Sequence, residues 1–183
     1  MGKQLVWIED TKRRTETLAA ATRLVQIARG DPDLPTDLRR FLVNKAIWYW
    51  TEDRTPSRKF KLRYRTRSAL DLQQDLGLKE AARQLEHEHV HERKNVIDAL
   101  LNDAPRIDPA TAIRACAACV VTKPEHVRLR NVRPGTRGWL RYREAELEVV
   151  DLLTGSNADL TALVAQDELQ WSDANAHEAH ETA

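Results

Sequence analysis

The sequence predicts a helix-rich α+β fold in a single globular domain with a few short strands. The chain has 183 residues, 42% of them hydrophobic, which is enough to bury a sizeable core. Apolar residues recur at helical spacing over most of its length, whereas a few short stretches show the alternation or the apolar runs of strands. The domain is predicted to span residues 1–171, and the small, polar residues 172–183 are predicted to form a disordered tail.

The N-terminal part, residues 1–53, is predicted to be helical. A first helix runs from about Thr11 to Arg29, because Gly30 and the turn that follows it end the apolar periodicity. A second helix runs through Trp50, with Thr36 as its predicted N-cap. The aromatic cluster at the end of this helix, residues 48–50, is typical of a core, and a base-stacking platform is the alternative.

Residues 54–151 are predicted to hold a basic strand and a candidate catalytic core. From Lys59 onward, basic residues alternate with Phe60, Leu62, Tyr64 and Thr66, which is the pattern of a half-buried strand. Such a strand would turn a row of cations outward, where a phosphate backbone is the natural partner. A charge-protected edge strand is the alternative. The residues predicted to bind nucleic acid here are Arg58, Lys59, Lys61, Arg63, Arg65 and Arg67.

Further short elements follow this strand. A capping box at residues 68–71 opens a helix that Gly77 ends, and residues 78–101 form either one long helix or a helix broken around His89. Thr122 caps a later helix, with Pro124 in its first turn and Glu125 completing the box. The remaining predicted elements are helices at 110–116 and 139–145 and strands at 119–121 and 147–152.

The net charge of +1 conceals a segregation of charge along the chain. Residues 1–67 contain 16 lysines and arginines against 8 acids, whereas residues 142–183 contain one arginine against 10 acids. This asymmetry indicates an anionic partner at the basic end, or an acidic tail that folds back and neutralises it.

Nothing in the sequence predicts secretion or a membrane span. No apolar run reaches the roughly 18 residues that a spanning helix needs, and residues 1–10 lack the apolar core of a signal peptide. The chain has two cysteines, too few for a disulfide scaffold. A cytoplasmic protein without a membrane partner is therefore expected.

Histidine and glutamate are concentrated at two places. His87, His89 and His91 flank Glu88, and a second pair, Glu125-His126, lies at the start of the capped helix. Imidazole titrates near pH 6.5 and binds divalent metals, so these residues are candidates for a site.

Two segments, Glu88-His89-Val90 and residues 119–126, resemble the HNH-type (ββα-metal) nucleases. In that family an acidic residue and a histidine close one strand, and a later histidine lies on the helix after the next strand. The resemblance implies a ββα-metal-like element that hydrolyses nucleic acid, with DNA favoured as substrate. It implies that His89 is the general base, that Glu88 and His126 bind a divalent metal (Mg, Mn or Zn), and that two downstream cations, Arg93 and Lys94, contact phosphate.

Other functions remain open at this point. The basic surface alone would suit a non-catalytic nucleic-acid-binding or regulatory protein. Residues 87–91 also read H-E-x-x-H, which on a helix resembles a zinc peptidase with His87 and His91 as ligands and Glu88 as base. Cys116 and Cys119 are either half of a zinc site or a pair of buried thiols. A solvated, charged helix face without a function is the simplest interpretation of the histidine cluster.

Overall fold

A computed structural model of the chain describes residues 10–52, 62–102 and 107–173. The helices, in chain order, are α1 (Thr11–Gly30), α2 (Thr36–Thr51), α3 (Arg67–Ala81), α4 (Arg93–Asn102), α5 (Pro109–Ala115), α6 (Lys123–Arg130), α7 (Gly138–Glu144) and α8 (Leu160–Asp173). The strands are β1 (Tyr64–Thr66), β2 (Leu85–His89), β3 (Ala118–Thr122), β4 (Val149–Asp151) and β5 (Ser156–Asn157). The predicted helix-rich α+β class is confirmed. The predictions for residues 53–61 and 174–183 lie outside the described residues.

The described residues group into two compact units, neither continuous in sequence. The helical unit contains residues 10–52, 91–102, 107–117 and 165–173, and the sheet unit contains residues 62–90 and 118–164. No helix in the described part of the chain combines the length and the apolar composition that crossing a lipid bilayer requires.

The helical unit is built from α1, α2, α4 and α5, which pack against one another. Small and branched side chains fill its core, and Val25, Ile47 and Leu100 are almost completely buried. Trp50 is 5% exposed, and its indole N–H donates to the carbonyl of Cys116 at 2.9 Å. The guanidinium of Arg14 lies 3.4 Å from the Trp50 ring centroid. The core interpretation of this aromatic cluster therefore holds for Trp50.

The sheet unit contains a five-stranded mixed sheet in the order β2-β3-β1-β4-β5. The central strand β1 is parallel to β3 and antiparallel to β4, and β2 forms an edge antiparallel to β3. Helix α3 packs on β1 and β3, and α6 packs on β2 and β3. Since α6 follows β3 without a loop, β2, β3 and α6 form a ββα arrangement.

The central position of β1 overturns part of the prediction for the basic strand. Arg65 is 1% exposed and its guanidinium donates to the side-chain carbonyl of Gln73 on α3. Desolvation lowers the pKa of Arg65 to about 10, so the guanidinium still carries its charge at neutral pH. The predicted outward orientation of Arg65 is wrong, and so is the edge-strand alternative. The physical reason is that helix α3 covers this face of β1, which a period-two pattern alone does not reveal.

The prediction of one long helix over residues 78–101 is wrong, and the alternative of a helix broken around His89 holds only in part, because residues 85–89 form a strand. Gly77 has a φ of +73° and interrupts helical geometry within α3, which continues to Ala81. Residues 85–89 then form β2, and α4 begins only at Arg93.

The predicted capping box at the start of α6 is present. The Thr122 hydroxyl accepts from the Glu125 backbone N–H, and the Glu125 carboxylate accepts from the Thr122 backbone N–H at 2.8 Å. The same carboxylate, 3% exposed, also accepts from the Thr66 hydroxyl at 2.6 Å. The predicted cap of α2 is wrong, because Pro35 occupies the N-cap position and no side chain caps that helix.

Thr122→Ala is expected to destabilise the protein by about 1 kcal/mol, the usual cost of losing a threonine N-cap. The measurement is the urea concentration at the midpoint of unfolding. The slope of the unfolding free energy against urea concentration should not change. Thr36→Ala is the matched control, since this exposed hydroxyl caps nothing and its loss should change stability by less than about 0.5 kcal/mol. Equal midpoints for the two variants would contradict the capping role of Thr122.

Candidate active site

Three side chains from three elements of the sheet unit meet at the edge of the sheet. Glu88 comes from the edge strand β2, His126 from the first half of α6, and Arg141 from α7. The capping box fixes the start of α6 directly after β3, and β3 pairs with β2. These contacts together bring His126 to the edge strand, although 38 residues separate His126 from Glu88.

The Glu88 carboxylate bonds to both other side chains. His126 Nδ1 lies 2.8 Å from Glu88 Oε2, and Arg141 Nη2 donates to Glu88 Oε1 at 2.9 Å. Arg141 also donates to the carbonyls of Val90 and Leu129, at 3.4 and 3.5 Å. The side chains of Arg141 and Glu88 are 5% and 12% exposed, whereas that of His126 is 33% exposed. The arginine and the carboxylate are thus buried supports for a histidine that solvent reaches.

This geometry defines what His126 can do. When a carboxylate accepts the Nδ1 proton of a neutral imidazole, the lone pair is on Nε2, and this tautomer follows from the hydrogen bond. The carboxylate also stabilises the imidazolium that forms when Nε2 takes up a proton. Glu88 and His126 therefore form a carboxylate–histidine pair able to accept and return a proton at a partly exposed position.

The structure does not bring His89 into this site. Along β2, Leu85, His87 and His89 are on one face of the strand, whereas Glu88 is on the other, because side chains alternate. His89 is 7% exposed, and its ring centroid lies 4.7 Å from that of His87. Of the three residues predicted to act together, the structure brings Glu88 and His126 together and leaves His89 on the opposite face.

The prediction that residues 87–91 form a helical H-E-x-x-H motif is wrong. A zinc peptidase motif needs its two histidines one helical turn apart, and Leu85–His89 is a β-strand. His91 follows the strand, within the helical unit, where its Nε2 lies 3.1 Å from the carboxylate of Asp167.

Glu88 and His126 are two possible metal ligands that the structure brings together. Across the described ranges, no group of three or more histidine, cysteine or carboxylate side chains is arranged to hold a metal ion. Arg141 occupies one oxygen of Glu88, and its positive charge opposes a second cation there. The requirement for Mg, Mn or Zn, implied by the resemblance, stays a prediction.

The described cations that were predicted to bind nucleic acid belong to both units of the protein. Arg58, Lys59 and Lys61 lie outside the described residues. Arg63 pairs with both carboxylate oxygens of Asp151, at 2.8 and 2.6 Å. Arg67, at the start of α3, donates to Asn157 at 2.6 Å. In the helical unit, Arg93 donates to Asn44 at 2.9 Å and its guanidinium lies 4.9 Å from the Trp48 ring, while Lys94 is exposed.

A second cationic stretch went unrecognised in the sequence. Residues 123–143 contain seven lysines and arginines and a single acid, Glu125, which is buried in the capping box. Counting charge over the whole middle of the chain, residues 68–141, conceals it, because that range is nearly balanced. Counting charges in a window of about 20 residues reveals this basic segment. Six of the seven cations are exposed: Lys123, Arg128, Arg130, Arg133, Arg137 and Arg143.

Both cysteines are buried free thiols. Cys116 Sγ donates to the carbonyl of Ala112 at 3.3 Å, and burial raises the pKa of this thiol to about 12. Burial likewise raises the pKa of Cys119 well above its usual range. The zinc interpretation of the Cys-x-x-Cys pair stays a prediction.

We expect neither thiol of the native protein to react with Ellman's reagent at pH 8 within minutes, and both to react in guanidinium. Native thiols also keep their protons above about pH 8.5, where unfolded thiols lose them, so stability should fall as the pH rises through that value. Rapid reaction of one native thiol would contradict the buried placement. One equivalent of bound zinc, lost in Cys119→Ser, would instead support the zinc site.

Comparison of the chain with models of protein families, with curated proteins and with solved structures found no match.

Proposed function

We propose that this protein hydrolyses phosphodiester bonds in nucleic acid, with DNA the favoured substrate, and that His126 is the acid–base group of the reaction. The observation that carries the proposal is the contact between His126 Nδ1 and Glu88 Oε2 at 2.8 Å. A largely buried carboxylate that orients a partly exposed imidazole is an arrangement that supports general acid–base catalysis.

The ββα arrangement supports the HNH-like character of the proposed site. Antiparallel strands β2 and β3 lead into α6, and an acidic residue on the first strand meets a histidine on the helix. The resemblance to HNH nucleases rests on these two residues together with His89, which lies on the opposite face of β2.

The proposed roles differ from those that the resemblance implies. His126 accepts the proton of the attacking water through Nε2, the leaving oxygen on the opposite side of the phosphorus takes a proton from solvent, and the imidazolium then releases its proton to solvent. Glu88 holds the imidazole in the required tautomer, and Arg141 holds Glu88. His89 has no role in the reaction, because it is buried on the other face of β2. No step requires Glu88 as a metal ligand.

A non-catalytic nucleic-acid-binding or regulatory protein is the second candidate. The exposed cations of residues 123–143 favour it, since they would bind a polyanion without any chemistry at His126.

The test is cleavage of supercoiled plasmid and of duplex RNA by the purified protein. Reactions contain EDTA or one of Mg, Mn and Zn, so that the predicted metal requirement is tested as well. We expect nicking by the natural protein and none by His126→Ala purified in parallel, which excludes a contaminating nuclease. No cleavage under any condition, or equal cleavage by both proteins, would overturn the proposed hydrolase.

A further inference from the structure

Two of the exposed cations of residues 123–143 lie on the helix side that carries His126. Within α6, Lys123 and Arg130 lie three and four residues from His126, so that all three side chains are on one side of the helix. Glu125 and Leu129 are on the buried side of the same helix. The remaining cations of this basic segment follow at the end of α6, in the connection to α7 and on α7: Arg128, Arg133, Arg137 and Arg143.

Most of these cations are not neutralised by the protein. Arg128 Nη2 lies 3.8 Å from Glu125 Oε1, a long distance for an ion pair. Among the described residues, no carboxylate forms an ion pair with the other five. Unpaired like charges in one segment repel one another. Binding of an anion to this surface relieves that repulsion and is therefore favourable.

The composition of the segment favours phosphate on a nucleic-acid backbone as the anion. Five of the six exposed cations are arginines, whose planar guanidinium binds phosphate through two parallel hydrogen bonds. A membrane-binding segment would also expose aromatic or leucine side chains. Here Trp139 and Tyr142 are 3% and 0% exposed, and Val127 is the exposed large apolar residue.

The same burial of aromatic residues indicates which form of nucleic acid is bound. Proteins that hold single strands stack the bases on exposed aromatic side chains. Residues 123–143 offer none, because both of their aromatic residues are buried, and they offer only groups that contact the backbone. We infer that residues 123–143 form a docking surface for the phosphate backbone of duplex nucleic acid, with little preference for sequence. This inference rests on the proposed function, because the duplex would present its phosphates to His126.

The test measures binding to a fluorescent 20-base-pair DNA duplex by anisotropy, in the His126→Ala background, so that cleavage cannot interfere. We expect log K to fall with log salt concentration, by about 0.9 per phosphate contact. Arg130→Ala/Arg133→Ala should reduce that slope by about 1.8 and weaken binding about tenfold or more at 50 mM salt. Arg23→Ala/Arg114→Ala removes the same charge from two exposed residues of the helical unit, outside residues 123–143, and should change neither quantity.

Further ligands decide between the possible partners. Binding to a duplex RNA of the same sequence shows whether the surface prefers a DNA or an RNA backbone. Binding to either duplex supports the docking surface. Tighter binding to the single strand or to phosphatidylserine vesicles would overturn it, as would equal losses in the two double variants. Duplex binding without any cleavage by the natural protein would overturn only the proposed hydrolase. Cleavage unaffected by Arg130→Ala/Arg133→Ala would overturn only the docking surface.

Discussion

His126→Ala is expected to reduce the rate of phosphodiester cleavage at least about 100-fold, because a positioned acid–base group contributes roughly 10²–10⁴ to the rate. Binding of the duplex should be nearly unchanged, since the imidazole acts in the transition state more than in ground-state binding. The measurement compares single-turnover cleavage with anisotropy on the same preparations. Val127→Ala is the matched control, because this neighbouring side chain is 53% exposed and has no proposed role.

Glu88→Gln separates orientation of the imidazole from simple loss of the base. A glutamine amide can donate to Nδ1, which places the imidazole proton on Nε2 and removes the lone pair that the reaction uses. We therefore expect a rate loss approaching that of His126→Ala, while Glu88→Gln/His126→Ala should be little worse than either single variant. Full activity of Glu88→Gln, or a loss of duplex affinity as large as the loss of rate, would contradict the assigned roles.

Arg141→Met is expected to destabilise the protein by about 3 kcal/mol, because removing one partner of a buried ion pair leaves the other charge buried and uncompensated. The side chains of Arg141 and Glu88 are 5% and 12% exposed, so solvent can replace the guanidinium only in small part. The estimate takes the lower end of the usual range, since His126 still bonds to the carboxylate. The measurement is again the urea midpoint.

Two further variants test whether the destabilisation of Arg141→Met comes from loss of the ion pair with Glu88. Arg143→Met alters an exposed arginine on the same helix and should cost less than about 0.5 kcal/mol. Glu88→Gln/Arg141→Met removes the buried charge as well and should recover a large part of the lost stability. A stability of Arg141→Met within 0.5 kcal/mol of the natural protein would show that the ion pair does not support the site.

The sequence by itself determined several of the local elements, because their signals are local. Gly30 and the turn after it end the first helix, whose predicted extent agrees with Thr11–Gly30. Thr122, Pro124 and Glu125 mark the start of α6 through the capping box, which involves only neighbouring residues. The strand predicted at residues 119–121 lies within β3, because a short apolar run with β-branched residues is a local signal as well.

Only the tertiary structure decided which side chains meet. The alternation of Lys59 to Thr66 could not show that β1 is central and that α3 covers Arg65, since strand order and helix packing depend on distant residues. The sequence also gave no sign that Arg141 would bond to Glu88, 53 residues away. It placed Glu88 and His89 side by side, yet the pleat of β2 sends them to opposite faces, and only the pairing with β3 and the packing of α6 determine which of the two reaches His126.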